Sequence, residues 1–113
     1  MSFLKVKHEK KTFGIIVGNR DVFPSELAKQ GRLEIIELMN ELGYEYVILG
    51  ENDTRFGVVE IYEDAKKCAE LFKVNREKID GIVVVLPNFG DEKGVANTLK
   101  LANLNVPVLI QAF

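Results

Sequence analysis

Four short apolar runs, separated by three segments of helical periodicity, constrain the fold of this chain more than any other feature. The runs are Phe13–Val17, Tyr46–Leu49, Gly81–Leu86 and Pro107–Ala112. Polar residues do not alternate regularly with apolar ones along them, which is typical of parallel strands buried on both faces. The sequence therefore predicts a parallel sheet.

The segments between these runs have the spacing of amphipathic helices. We predict helices over Pro24–Leu42, over about Glu60–Lys73 and over about Asp91–Asn103. Gly43 follows the first segment as a C-terminal stop, and Ile35, Ile36, Met39 and Leu42 form its apolar stripe. The only cysteine, Cys68, falls on the apolar face of the second segment, so we expect a buried structural thiol.

The order β-α-β-α-β-α-β implies right-handed crossovers and an open, three-layer α/β sheet. Two strand orders are common, a flavodoxin-like 2-1-3-4 and a Rossmann-like 3-2-1-4, and we favour the first. Residues 1–12 are interpreted as a basic lead-in and residues 13–113 as one domain.

In this order the first helix lies alone on its face of the sheet, and strands 3 and 4 are expected to be bare there. The chain stops at Phe113, where a fourth crossover helix would begin, so we expect a fragment truncated before that helix. The resulting apolar patch would be covered by the rest of a longer chain or by a second copy.

Composition excludes several classes of function. The chain has 15 basic and 17 acidic residues, which gives no basic face for nucleic acid. No apolar run approaches the roughly 18 residues of a membrane span. A single cysteine fits a reducing compartment, so a cytoplasmic protein is expected. The glycine-rich phosphate-binding motifs GxGxxG and GxxxxGK[ST] are absent from the sequence.

The predicted order places a ligand site at the carboxyl ends of strands 1 and 3, where the chain changes direction. The loops there contain Asn19 and Arg20, and Asn88 and Phe89. Amides and a guanidinium group can bind hydroxyl groups, and an aromatic ring can cover the apolar face of a sugar. These four residues are the predicted substrate-binding residues.

No catalytic residue is predicted in this chain, and no cofactor or metal site. The only histidine, His8, lies in the lead-in, away from other ligands. Glu51 and Asp91 are the acids expected near the site, and Asp91 is interpreted as a helix N-cap. Asn52 and Asp53, which follow strand 2, are interpreted as turn formers.

Three segments resemble the amino-terminal domain of L-fucose isomerase-related proteins, with the L-arabinose isomerases as a neighbouring group. They are the stretches GIIVGNRDVFP from Gly14, DGIVVVLPNFGDE from Asp80 and VPVLIQAF from Val106. The resemblance covers residues 13–113, and the Asn88–Asp91 stretch is its most specific part.

This resemblance implies a ketol isomerase that interconverts an aldose and a ketose. It implies a manganese-type divalent metal, held by carboxylates and a histidine in later domains of a longer chain. It also implies a homo-oligomer in which this domain helps to close the sugar pocket of a neighbouring subunit. Arg20 matches the family's arginine in the first loop, and Phe89 matches its aromatic residue after strand 3.

On this interpretation the isolated chain is inactive, because the catalytic metal site lies elsewhere. Two alternatives remain open from the sequence. The chain could be a stand-alone sugar-binding module, or a structural fragment that self-associates to cover its bare face.

Overall fold

The structure, a computed structural model, describes residues 11–18, 25–86 and 92–112. Their elements follow the predicted ones to within two residues at each end. In chain order they are β1 (Thr12–Val17), α1 (Ser25–Leu42), β2 (Glu45–Ile48), a short 3-10 turn (Arg55–Gly57), α2 (Tyr62–Val74), β3 (Gly81–Leu86), α3 (Glu92–Ala102) and β4 (Val108–Ala112).

The four strands form one parallel sheet in the order β2-β1-β3-β4. The favoured flavodoxin-like order is confirmed, and the Rossmann-like order is wrong for this chain. Ile15 of β1 pairs with Ile48 of β2 on one side and with Val83 of β3 on the other. The switch point therefore lies at the carboxyl ends of β1 and β3.

Each face of the sheet has its own apolar core. Ile16 and Val84 point towards α2 and α3, where Cys68 and Phe72 are fully buried. The opposite face packs against α1 through Ile15, Val17, Val83 and Val85. This division confirms the predicted layers, and α1 is the one helix on its face among the described residues. No helix in the described part of the chain is both long and apolar enough to cross a membrane.

The buried stripe of α1 differs from the predicted one. Ile35 and Met39 are buried as expected, but Leu42 is 55 % exposed. Leu42 is the last residue of the helix, and its side chain lines an open groove instead of the closed core. The predicted stop is confirmed, because Gly43 has a φ of 76° and the N–H of Tyr44 donates to the carbonyl of Met39 at 2.9 Å.

The expectation that strands 3 and 4 are both bare on the α1 face is wrong for β3. Val83 and Val85 of β3 are buried on that face, whereas Leu109 of β4 is 63 % exposed. A helix is about 10 Å wide and neighbouring strands lie about 4.8 Å apart, so one helix covers more than one strand. Because β3 pairs directly with β1, α1 covers both, and β4 stays open.

Candidate functional site

The carboxyl ends of β1 and β3 lie side by side. The N–H of Gly18, which follows β1, donates to the carbonyl of Val85 at 3.0 Å. A methyl group on Gly18 would meet Leu86 at 3.1 Å and Val95 at 3.3 Å, so the chain is closely packed where it leaves the sheet. The two loops predicted to hold the ligand therefore start from neighbouring points.

The predicted substrate-binding residues themselves are not among those that the structure describes. Asn19 and Arg20 lie in the first loop, and Asn88 and Phe89 in the second, outside the described residues. The same holds for Asp91 and His8. The roles of the four predicted substrate-binding residues therefore stay predictions. The two loops that carry these residues start from adjacent strand ends.

A third segment reaches the same edge of the sheet. After the 3-10 turn the chain runs extended beside β1, where Val59 forms an isolated parallel bridge with Gly18. The N–H of Val59 donates to the carbonyl of Val17 at 2.8 Å. This segment brings Glu60 to the carboxyl edge, close to Gly18, after which the first loop begins.

Glu60 is a buried acid held by a well-defined set of partners. Its two carboxylate oxygens accept hydrogen bonds from Nε and Nη2 of Arg55, each at 3.0 Å. The backbone N–H of Glu60 donates to Oδ2 of Asp64, which also accepts from the N–H of Ile61 and so caps α2. A bidentate arginine–carboxylate pair is strong and geometrically specific, so Glu60 is fixed in place.

Sequence reasoning missed the position of Glu60. We predicted it in the first turn of the second helix, but α2 begins at Tyr62 and Glu60 lies in the extended segment before it. The sequence held one signal of an extended segment here, the apolar pair Val58 and Val59 directly before the acid. Both residues are fully buried in the structure.

Arg32 of α1 is a further buried charge near this edge, besides Glu60 and Asp64. Its Nη2 donates to the carbonyl of Leu49 at 2.9 Å, and its Nη1 lies 3.8 Å from a carboxylate oxygen of the exposed Glu51. Gly57 has a φ of 71°, and a methyl group there would lie 2.8 Å from Arg32 Nε. Only glycine fits this position beside the arginine. Arg32 therefore ties α1 to the end of β2.

A pocket of about 310 Å³ opens beside Arg32, and its lining carries two cationic side chains and one carboxylate. It is lined by Lys29, Arg32, Leu33, Glu51, Asn52 and Phe56. Phe56 has a φ of 60°, which is unusual for a bulky side chain. Its ring lies 5.3 Å from Lys29 Nζ and 5.8 Å from Arg55 Cζ, so two cations approach one aromatic side chain.

The turn between β2 and this pocket has the predicted character. Oδ2 of Asp53 accepts from the N–H of Gly50 at 2.8 Å, and the N–H of Asp53 donates to the carbonyl of Gly50 at 3.0 Å. The interpretation of Asp53 as a turn former is confirmed.

The described residues hold no ligand set for a divalent metal. Among residues 11–18, 25–86 and 92–112, no three histidine, cysteine or acidic side chains cluster closely enough to bind an ion. Cys68 is fully buried, and burial raises the pKa of its thiol to about 12. A protonated, inaccessible thiol is a poor nucleophile and a poor ligand, so its predicted structural role is confirmed.

A four-stranded parallel sheet of order 2-1-3-4, with loops leaving its switch point side by side, defines a flavodoxin-like α/β domain. The model of the fucose/sulfoquinovose isomerase N-terminal domain matches residues 14–113, and the chain belongs to that family. The resemblance found in the sequence is thereby confirmed. Neither the curated proteins nor the solved structures gave a match.

Proposed function

We propose that this chain acts as the amino-terminal domain of an aldose–ketose isomerase for sugars of the L-fucose or L-arabinose type. In this role it supplies side chains to the sugar pocket and helps to assemble a homo-oligomer. The observation that carries the proposal is the family match over residues 14–113.

The geometry of the carboxyl edge supports a contribution to the pocket. Loops carrying Asn19–Arg20 and Asn88–Phe89 start from adjacent strand ends at the switch point, where ligands bind in open α/β sheets. The guanidinium and amide groups would bind sugar hydroxyls, and the ring of Phe89 would cover the apolar face of the sugar. The Arg55–Glu60 pair would hold the third segment rigidly beside them.

We also propose that the isolated chain does not isomerise sugars. A manganese-type metal would polarise the sugar carbonyl and hydroxyl oxygens in the complete enzyme. The described residues provide no set of ligands for it. As the family resemblance implies, other domains would hold the metal, and this domain would bind and orient the sugar.

The role of Arg20 is tested by steady-state kinetics of the isomerase that carries this domain. Arg20→Ala is expected to lower kcat/KM at least tenfold, since one charge-assisted hydrogen bond to the sugar is worth about 1.5–3 kcal/mol. Arg76→Ala is the matched control, because Arg76 is an exposed arginine in the turn that precedes the amino end of β3, where its Nη2 donates to the carbonyl of Asn103 at 3.5 Å. Unchanged kinetics for Arg20→Ala, or an equal loss for Arg76→Ala, would refute the role.

A further inference from the structure

An apolar groove lies on the α1 face of the sheet. It has a volume of about 1060 Å³ and lies between α1 and β4, above β3. Its walls include Leu38 and Leu42 of α1 and Leu109 of β4, which are 44 %, 55 % and 63 % exposed. Three large aliphatic side chains exposed along one groove are typical of an interaction surface.

The rim of this groove is acidic. Glu34, Glu37 and Glu41 project along one side of α1, spaced three and four residues apart, and all three are exposed. Asp80 lies near the start of β3, and Lys11 is the one basic residue that lines the groove among those described. An occupant must therefore combine an apolar surface with positive charge.

The groove lies where a second helix would pack beside α1 on the same face of the sheet. Packed helices lie 8–10 Å apart, about the width of two strands. A helix placed beside α1 at that distance would contact Leu38 and Leu42 on one side and Leu109 below. The groove opens over β4, the edge strand of the described sheet.

We propose that this groove binds an amphipathic helix whose apolar stripe is flanked by lysine or arginine residues. Basic flanks would face Glu37 and Glu41, so charge complementarity would add to apolar burial. A second copy bound through the same groove would bring two acidic rims into one interface, and like charges at an interface are costly. The observations thus favour a basic helix over self-association.

The proposal is independent of the sugar site. Most of the groove residues lie towards the amino ends of the strands, for example Phe13, Gly81 and Pro107. The proposed sugar site lies at the opposite, carboxyl edge. A failure of helix binding would therefore leave the proposed isomerase role intact. A failure of the isomerase role would likewise leave helix binding intact.

Two fluorescent synthetic peptides of about 18 residues, titrated into the full chain, provide the test. They share one stripe of leucines, flanked by lysine in the first and by glutamate in the second. Anisotropy is expected to show saturable binding of the lysine peptide, roughly tenfold tighter than that of the glutamate peptide at low salt. The difference should shrink as the ionic strength rises.

A matched pair of variants locates the binding surface. Leu42 and Leu33 are exposed to nearly the same extent, 55 % and 54 %, but only Leu42 lines the groove. Leu42→Ser is expected to weaken binding of the lysine peptide at least fivefold, and Leu33→Ser to leave it unchanged. The double variant Glu37→Lys, Glu41→Lys should reverse the preference between the peptides.

Three results would overturn the proposal. One is the absence of saturable binding by a chain whose circular dichroism shows it folded. Another is equal affinity for the two peptides, which would indicate unspecific adhesion. The third is concentration-dependent dimerisation in sedimentation, abolished by Leu42→Ser, which would make a second copy the occupant.

Discussion

At the scale of single residues, the best-defined polar contact at the carboxyl edge is the pair of Arg55 and Glu60. The side chain of Glu60 is 5 % exposed, whereas that of Arg55 is 54 % exposed. The pair therefore joins a buried carboxylate to a partly solvated cation. The pair stabilises the fold mainly because it gives the buried carboxylate hydrogen-bond donors, since attraction between exposed charges is weak.

Removing the cation should destabilise the fold measurably. Arg55→Gln is expected to lower the free energy of unfolding by about 1–2 kcal/mol, because Glu60 loses a bidentate donor. Lys66→Gln is the control: Lys66 is also 54 % exposed, but it pairs at 3.8 Å with the exposed Glu63. Lys66→Gln should lower the free energy of unfolding by under about 0.5 kcal/mol. Urea denaturation of both variants would contradict the prediction if the two losses were equal.

The thiol of Cys68 gives a prediction about pH. Its pKa in the folded chain is raised to about 12 by burial, from an ordinary value of 9.0. The unfolded chain therefore loses its thiol proton first, and the contribution of this group to stability is complete below about pH 9 and declines as the pH rises towards 12. Urea midpoints of the wild type should fall over this range more than those of Cys68→Ala. Parallel curves would contradict the assignment.

The same burial predicts slow chemical modification. At about pH 8 a disulfide reagent should react with Cys68 in the folded chain only as fast as the chain opens, and at once in denaturant. Mass spectrometry of timed samples measures the modified fraction. Native-state reaction at the rate of a free thiol would show that Cys68 is accessible.

At the scale of elements, the contact between β1 and α2 depends on one glycine. A methyl group on Gly14 would lie 3.0–3.2 Å from three ring atoms of Phe72, closer than packed carbons normally approach. The ring of Phe72 is fully buried and has little room to move. Gly14 therefore allows α2 to pack closely against the sheet.

Adding that methyl group should overpack the core. Gly14→Ala is expected to cost about 1–3 kcal/mol in the free energy of unfolding. The same substitution in a Phe72→Leu background should cost less, since the smaller side chain makes room for it. A double-mutant cycle by urea denaturation measures this coupling. Additive losses would contradict the contact.

The elements were predictable from the sequence because their signals are local. The apolar runs, the helical periodicity and Gly43 mark strand, helix and stop within a few residues. The coverage of β3 by α1 was not predictable in this way, since it depends on where a helix sits across a sheet. The Arg55–Glu60 pair depends on a turn in which Phe56 and Gly57 both have a positive φ. The only sequence signal for this turn is Gly57, so the pair was not predictable.

The sequence predicted the location of the candidate site, but not the contacts within it. Strand order and the switch-point rule located it at the carboxyl ends of β1 and β3, and the adjacency of Gly18 and Val85 agrees with that location. The sequence did not predict that Arg32 is buried, because a single charged residue among apolar helix positions gives no sign of a buried partner. Its buried contact with Leu49 becomes visible only when α1 and β2 are packed together.

At the scale of the whole molecule, two surfaces are separated by the length of the sheet. The carboxyl edge carries the origins of the predicted sugar-binding loops, and the groove on the α1 face lies mostly towards the amino ends of the strands. A ligand at one surface and a helix at the other need not compete. The two proposals can therefore be tested on the same labelled chain.

On the proposed function, this domain carries sugar-binding groups at its carboxyl edge. The most direct measurement is the amide NMR spectrum of the full chain during titration with L-fucose, L-arabinose and their reduced polyols. We expect saturable shifts at Gly18, Asn19, Arg20, Asn88 and Phe89, with Leu42 and Leu109 unmoved. A folded spectrum that never shifts, or shifts confined to the pocket beside Lys29, would contradict it.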